Sequence, residues 1–309
     1  MVMVLTMRVH DLLPCYARFL AEAAAEGILP APEPNAPADR THRLMRLLET
    51  HYLEPNRELL GPLLHDWEHW ARPLGNTLDG LDLGQAKEAI ATAKRRGYPD
   101  RAEATLAAVE RRFGRTLRGE MVLMAGFGRA DGYARFEHGS HCVYIGLDYP
   151  EPEDHYLDLI IAHELGHVVR EGDARTWAAL DLPAVMAHEE FQERCPFEEH
   201  MIGEGLSTAL SNAIYPGHGR GEVLFFTPEQ LAWCAANEDA IWAAMRRFYG
   251  TAEEHYSLYA RDTVAPGSPE RTQYYAGYTA VDSLVQGGHD LEALFETPAR
   301  RILELAGRI

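Results

Sequence analysis

Two histidines and a glutamate stand close together in the segment HELGH, which occupies residues 163–167. Residues four apart lie on one face of a helix, so His163 and His167 can bind the same metal ion there. Glu164 follows the first histidine, where its carboxylate can reach a water bound to that metal. This spacing predicts a zinc centre that activates water, and it is typical of sites that hydrolyse peptide bonds.

The residues around this segment favour a buried helix. A mainly apolar run extends from Tyr156 to Ala162, and Val168 and Val169 follow the second histidine. Pro152 and the two acidic residues after it suit the first turn of that helix. Unpaired histidines on a buried helix would be costly, so the apolar context strengthens the prediction of a metal site.

One protein ligand remains to be found, because a catalytic zinc usually has three protein ligands and a water. Glu204 is the first choice. It lies between two glycines on a helix predicted from Phe197 to Asn212, and glycine lets one helix approach another closely. The residues leave two alternatives open, Asp173 and His200.

Helix-period apolar residues dominate the chain before residue 117. They predict helices at Leu12 to Ala25, Thr41 to Tyr52, Asn56 to Trp70, Gly84 to Arg96 and Asp100 to Phe113. A proline-rich loop at residues 29–40 interrupts these helices, so we expect the residues before it to form a loosely attached arm. Residues 1–116 are therefore predicted to be a helical N-terminal region.

A small sheet and further helices are predicted from residue 117 onwards. The strands are expected at Met121 to Gly126, Gly132 to Phe136 and Cys142 to Leu147. Helices return after Asp173, with a capping box at residues 227–230 and a late helix from Glu270 to Val285. The prediction is an α+β fold, mostly helical, with a small mixed or antiparallel sheet, and residues 117–309 form its second domain.

The composition excludes several classes of partner. A formal net charge of −18 argues against nucleic acid and against an anionic membrane surface. The four cysteines are scattered and form no close pair, which does not suggest a disulfide framework. With no convincing signal peptide or membrane-spanning stretch, the predicted location is the cytoplasm, and the oligomeric state stays undetermined.

The HELGH segment and the later Glu-Gly-Leu helix together resemble the gluzincin branch of zinc metallopeptidases. More narrowly, the chain is similar to an uncharacterised bacterial family of predicted zinc-dependent proteases, which also has a C-terminal Gly-Tyr segment like YYAGY at residues 274–278. The resemblance covers roughly Leu117 to the C-terminus. It implies a zincin-like catalytic domain in which His163, His167 and Glu204 hold Zn²⁺.

The resemblance also implies a mechanism and a substrate. Glu164 would act as the general base on a zinc-bound water, and Tyr274 or Tyr278 would stabilise the oxyanion of a peptide or protein substrate. Two other functions remain open. One is a non-catalytic metal- and peptide-binding regulator, which the presence of Glu164 disfavours. The other is a zinc hydrolase of a non-peptide amide or ester.

The sequence departs from the gluzincin pattern in two ways. The acidic segment at residues 171–200 makes the two metal motifs lie further apart than in the best-known gluzincins. Thr208 stands where many gluzincins have an aspartate that orients a ligand histidine, although its hydroxyl can still accept a hydrogen bond. Asp173 has the third-ligand position of the metzincins, but Arg170 replaces the glycine that lets the metzincin helix end sharply.

Overall fold

The computed structural model describes residues 6–28, 39–70, 77–78, 80–127, 131–137, 140–149, 155–183, 188–252, 258 and 260–309. Most of the predicted proline-rich loop and the predicted start of the HELGH helix at Pro152 lie outside these residues. The chain forms two compact units. The first contains residues 1–104, 119–133 and 142–157, and the second contains residues 105–118, 134–141 and 158–309. The predicted boundary at residue 116 stays a prediction.

A four-stranded mixed sheet has the strand order β1-β2-β4-β3. The strands are β1 (Arg8–Asp11), β2 (Gly119–Met124), β3 (Gly132–Glu137) and β4 (Ser140–Gly146). Strands β2, β3 and β4 confirm the three predicted strands. Strand β1 pairs in parallel with β2, and Val9 lies opposite Met121. The prediction of a loosely attached arm was therefore wrong, because a four-residue strand with charged ends carries little sequence signal.

The first unit contains most of the N-terminal helices. They are α1 (Leu13–Ala25), α2 (Arg40–Leu48), α3 (Arg57–Trp70), α4 (Leu83–Arg96) and α5 (Tyr98–Phe113), the last of which continues into the second unit. A π-helical turn (Glu49–Leu53) and a 3₁₀ turn (Glu54–Asn56) connect α2 to α3. Gly97 ends α4 in the left-handed conformation with φ 65°, which favours glycine. Tyr16 and Tyr52 are fully buried beside Phe127.

The second unit is helical from residue 158 onwards. Its helices are α6 (Tyr156–Glu171), α7 (Ala174–Ala179), α8 (His188–Arg194), α9 (Phe197–Ile214), α10 (Arg220–Leu224), α11 (Pro228–Ala236), α12 (Glu238–Met245), α13 (Thr272–Gln286), α14 (Leu291–Phe295) and α15 (Ala299–Leu305). The mostly helical α+β prediction is confirmed. Among the residues described, no helix is both long and apolar enough to span a membrane.

Two close helix crossings hold α6, α9 and α13 together. A Cβ placed on Gly166 of α6 would lie 2.7 Å from the Cα of Ser207 on α9. A Cβ placed on Gly205 of α9 would lie 2.2 Å from the carbonyl carbon of Gly277 on α13. Only glycine permits such backbone contacts. We expected both glycines beside Glu204 to bring α9 onto the HELGH helix. Instead Gly205 faces α13, and a Cβ on Gly203 would meet nothing within 4 Å.

A buried arginine ties the end of α6 to α9 and to the C-terminal helices. Arg170 donates from Nε to Oε1 of Glu199 over 2.7 Å, and both side chains are almost completely buried. Its Nη1 also donates to the carbonyl oxygens of Phe295 and Thr297, at 2.7 and 2.8 Å. Glu199 in turn accepts from the backbone N–H of Ala299. This network fixes α6 in the second unit.

Replacing Arg170 with alanine is expected to lower the free energy of unfolding by about 3–5 kcal/mol, because Glu199 would keep a buried charge without its partner. Arg194 offers a control, since its ion pair with Glu190 is a surface i,i+4 pair. We expect Arg194→Ala to cost less than about 1 kcal/mol. Urea unfolding measures both losses, and equal losses would contradict the structural role of Arg170.

The acidic segment at residues 171–200 includes α7 and α8. Its apolar side chains form a small buried cluster of Trp177, Phe191 and Cys195 against Phe136. The Trp177 indole N–H donates to the carbonyl oxygen of Glu171, at the end of α6. The segment therefore contributes a local core beside the HELGH helix.

Candidate metal centre

The structure brings together one ligand atom from each of three predicted metal ligands. Nε2 of His163 lies 3.0 Å from Oε2 of Glu204, and Nε2 of His167 lies 3.4 Å from the same oxygen. The two Nε2 atoms are 3.3 Å apart. Tetrahedral zinc with bonds of about 2.0–2.1 Å separates its ligand atoms by about 3.3–3.4 Å. The three side chains therefore fit a single zinc ion without a large rearrangement.

Helices α6 and α9 position these ligands, and both are buried on most sides. The two histidines lie one turn apart on α6, and Glu204 faces them from α9, one turn before the contact of Ser207 with Gly166. The side chain of His163 is 6% exposed, while those of His167 and Glu204 are 16% and 13% exposed. Solvent reaches the cluster through His167 and Glu204.

In the metal-free protein, the imidazolium of His167 and the carboxylate of Glu204 form an ion pair. Burial opposes a charge on His167, but the carboxylates of Glu204, Glu164 and Glu171 outweigh it and raise the pKa of His167 to about 10. Burial also opposes the charge of Glu204, yet the two histidines hold the pKa of that carboxyl well below its usual range. Because zinc needs a neutral imidazole, a zinc ion bound at this site would have to displace the proton of His167.

Glu164 follows His163 on α6 and is 7% exposed. Its charge is one of those that raise the pKa of His167, which places the carboxylate within electrostatic range of that ligand. The role of Glu164 as a base for a bound water stays a prediction.

The two alternative third ligands have other contacts. Asp173 caps the N-terminus of α7, where it accepts from the backbone N–H of Arg175 over 2.9 Å and pairs with the guanidinium groups of Arg175 and Arg115. Burial raises the pKa of Asp173, but Arg175 lowers it by more. The ring of His200 packs edge-on against Phe191 at 5.3 Å between centroids. These contacts favour Glu204 as the third ligand.

The two tyrosines predicted to line the site differ in their surroundings. The ring of Tyr274 stacks parallel to the imidazole of His163, with centroids 6.1 Å apart and planes 9° apart. Tyr278 is 4% exposed, interacts with Asn212, and lies under the guanidinium of Arg220. Burial raises the pKa of Tyr278. Tyr274 is therefore the tyrosine that packs against the proposed metal ligands.

Thr208 does not show the supporting hydrogen bond that we predicted. Its hydroxyl is buried and has no hydrogen-bond partner among the described residues. The acidic side chain near the second nitrogen of a ligand histidine is instead Glu171, with Oε1 3.8 Å from Nδ1 of His167. Sequence reasoning missed Glu171, although its i+4 spacing from His167 was a usable signal.

The comparison with protein families finds a match in the C-terminal part of the chain. The family model of the gliding motility protein GldB matches residues 176–307. This stretch is less than half of the chain. It contains Glu204 and Tyr274 but begins after both histidines of the HELGH segment. The C-terminal part of the chain is thus similar to a gliding motility family.

The match to GldB overturns the resemblance to zinc metallopeptidases. The predicted gluzincin family and the predicted peptidase function are both wrong, because the family that matches is a gliding motility family and not a protease family. The resemblance depended on two short motifs, and motifs of that length recur in unrelated proteins. No curated protein and no solved structure matches the chain.

Proposed function

We propose that this protein binds one zinc ion through His163, His167 and Glu204. The observation that supports the proposal best is the spacing of the three ligand atoms, which lie 3.0, 3.3 and 3.4 Å apart. Two imidazoles and one carboxylate also form a common zinc ligand set. Cu²⁺ would bind such donors more tightly by intrinsic affinity, so the choice of zinc rests on the tetrahedral fit of the ligands.

Elemental mass spectrometry of the purified full chain tests this proposal. We expect about one zinc per chain in the wild type after dialysis against a weak chelator, and none in the double variant His163→Ala/His167→Ala. Circular dichroism of the double variant verifies that it is folded. A folded wild type that binds no zinc in a direct titration would refute the proposal.

Zinc binding is expected to depend on pH. The raised pKa of His167, about 10, keeps this residue protonated across the neutral range in the metal-free protein. Zinc must then release about one proton, so its dissociation constant should fall about tenfold for each unit of rising pH between about pH 6 and pH 7.5. Calorimetry in two buffers with different ionisation enthalpies measures the released proton. A dissociation constant that is flat over this range would contradict the ion pair with Glu204.

Hydrolase activity of the site stays a prediction, carried by the position of Glu164 beside His167. The predicted location in the cytoplasm likewise stays a prediction. The similarity of residues 176–307 to a gliding motility family favours the cell envelope over the cytoplasm. Fractionation of the native cell decides between the two compartments.

A further inference from the structure

The two ring nitrogens of His167 face different carboxylates. Its Nε2 lies 3.4 Å from Oε2 of Glu204, and its Nδ1 lies 3.8 Å from Oε1 of Glu171. An imidazole that binds a metal through Nε2 keeps its proton on Nδ1, and that N–H needs an acceptor. Glu171 supplies a carboxylate on the correct side of the ring.

Glu171 is the last residue of α6 and follows His167 by one helical turn. Its side chain is 13% exposed, so its charge is largely withdrawn from water and needs donors within the protein. Its backbone carbonyl accepts from the indole N–H of Trp177, which anchors the end of the helix. The backbone of Glu171, from which its carboxylate extends, is therefore held in place.

A second histidine approaches Glu171 from the other side. Nε2 of His141 lies 3.4 Å from Oε2 of Glu171, within ion-pair distance but without the geometry of a hydrogen bond, and the side chain of His141 is 4% exposed. The imidazole of His141 packs on the ring of Phe136 at 4.7 Å between centroids. Since Phe136 belongs to the buried cluster with Trp177, His141 has little room to move. One carboxylate thus lies between a buried histidine and a proposed metal ligand.

We propose that Glu171 is a positioning residue of the zinc site, whose carboxylate accepts the Nδ1–H of His167 while its other oxygen lies against the imidazole of His141. This inference rests on the proposed zinc site. The 3.8 Å separation is an ion-pair distance, longer than a hydrogen bond. The terminal torsion of a glutamate is soft, so a small rotation of the carboxylate brings the oxygen within hydrogen-bond range.

Zinc affinity, measured by competition with a chromophoric chelator, tests the role of Glu171. We expect Glu171→Ala to bind zinc about 10- to 100-fold more weakly than the wild type. Glu171→Gln should lie in between, because its amide oxygen can accept the same hydrogen bond without the charge. Glu229 is an exposed acid on α11, so Glu229→Ala loses the same charge elsewhere and should bind like the wild type.

Two further measurements separate positioning from a purely structural role. Nitrogen NMR of the zinc-bound wild type should show the Nδ1–H tautomer of His167, and Glu171→Ala should broaden or shift that signal. Thermal unfolding measures the stability of the metal-free wild type and of metal-free Glu171→Ala. The free energy of unfolding should differ between them by far less than the free energy of zinc binding does. Wild-type affinity in Glu171→Ala would overturn this inference but leave the zinc site standing. A wild type that binds no zinc would overturn both.

Discussion

Replacing Gly205 with alanine is expected to destabilise the second unit by at least about 3 kcal/mol. The new methyl group would lie 2.2 Å from the carbonyl carbon and 2.3 Å from the oxygen of Gly277, both backbone atoms that cannot rotate away. Helices α9 and α13 would have to separate along their buried contact. Gly277→Ala should do the same from the other side, since its methyl group would lie 2.0 Å from the carbonyl oxygen of Met201.

Gly203 provides a matched control two residues away on the same helix. Its Cβ would meet no atom within 4 Å, so alanine is expected to stabilise α9 by up to about 1 kcal/mol through helix propensity. Urea unfolding of the two single variants measures the difference. Similar stabilities of Gly205→Ala and Gly203→Ala would show that the close crossing with Gly277 is absent in solution. If Gly205→Ala were insoluble while Gly203→Ala stayed soluble, the result would agree with the close crossing.

Replacing Glu204 with alanine is expected to weaken zinc binding by about 100- to 1000-fold. Structural zinc sites with four ligands gain about 10–16 kcal/mol on binding, or roughly 2.5–4 kcal/mol for each ligand. A tenfold change in affinity corresponds to about 1.4 kcal/mol. The loss of one ligand is therefore expected to lower the zinc affinity by roughly two to three orders of magnitude. Glu204→Gln should lose less, because its amide oxygen remains a weak donor to the metal.

The control for Glu204 must remove one negative charge without touching the site. Glu229→Ala does so, because Glu229 is exposed at the first turn of α11. Its zinc affinity should equal that of the wild type. If Glu204→Ala bound zinc like Glu229→Ala, a different side chain would be the third ligand, and Asp173→Ala and His200→Ala would then identify it.

The two proposed ligands on α6 were predictable from sequence because their placement depends on local spacing. An i,i+4 pair of histidines faces one side of any helix, and the apolar residues around HELGH require that helix to be buried. Glu204 was predictable in part. Its neighbouring glycines indicated a close helix contact, but sequence did not reveal that Gly205 faces α13 or that Gly166 makes the crossing with α9.

The features that the sequence did not reveal are those set by long-range packing. Strand β1 is only four residues long, and its register with β2 depends on pairing over more than a hundred residues. The partner of His141 was equally hidden, since His141 and Glu171 meet only when β4 and α6 are both in place. The sequence also gave no sign that Arg170 is almost completely buried with Glu199.

The family to which the C-terminal part of the chain is similar was the least predictable property. The residues of the HELGH segment and of the Glu-Gly-Leu segment pointed to metallopeptidases, whereas residues 176–307 as a whole match the gliding motility protein GldB. A short metal-binding motif indicates the chemistry of its side chains, but it is weak evidence for the family to which a protein belongs. The proposed zinc site depends on the geometry of its ligands and is independent of the metallopeptidase family.

Anomalous diffraction at the zinc absorption edge, recorded from crystals of the full chain grown with zinc, tests the metal site most directly. We expect one strong peak about 2.0–2.2 Å from Nε2 of His163, Nε2 of His167 and an Oε atom of Glu204. Crystals of Glu204→Ala grown at the lowest zinc concentration that fills the wild-type site should lose most of that peak. Zinc peaks confined to other surface groups, with none between these three side chains, would contradict the site.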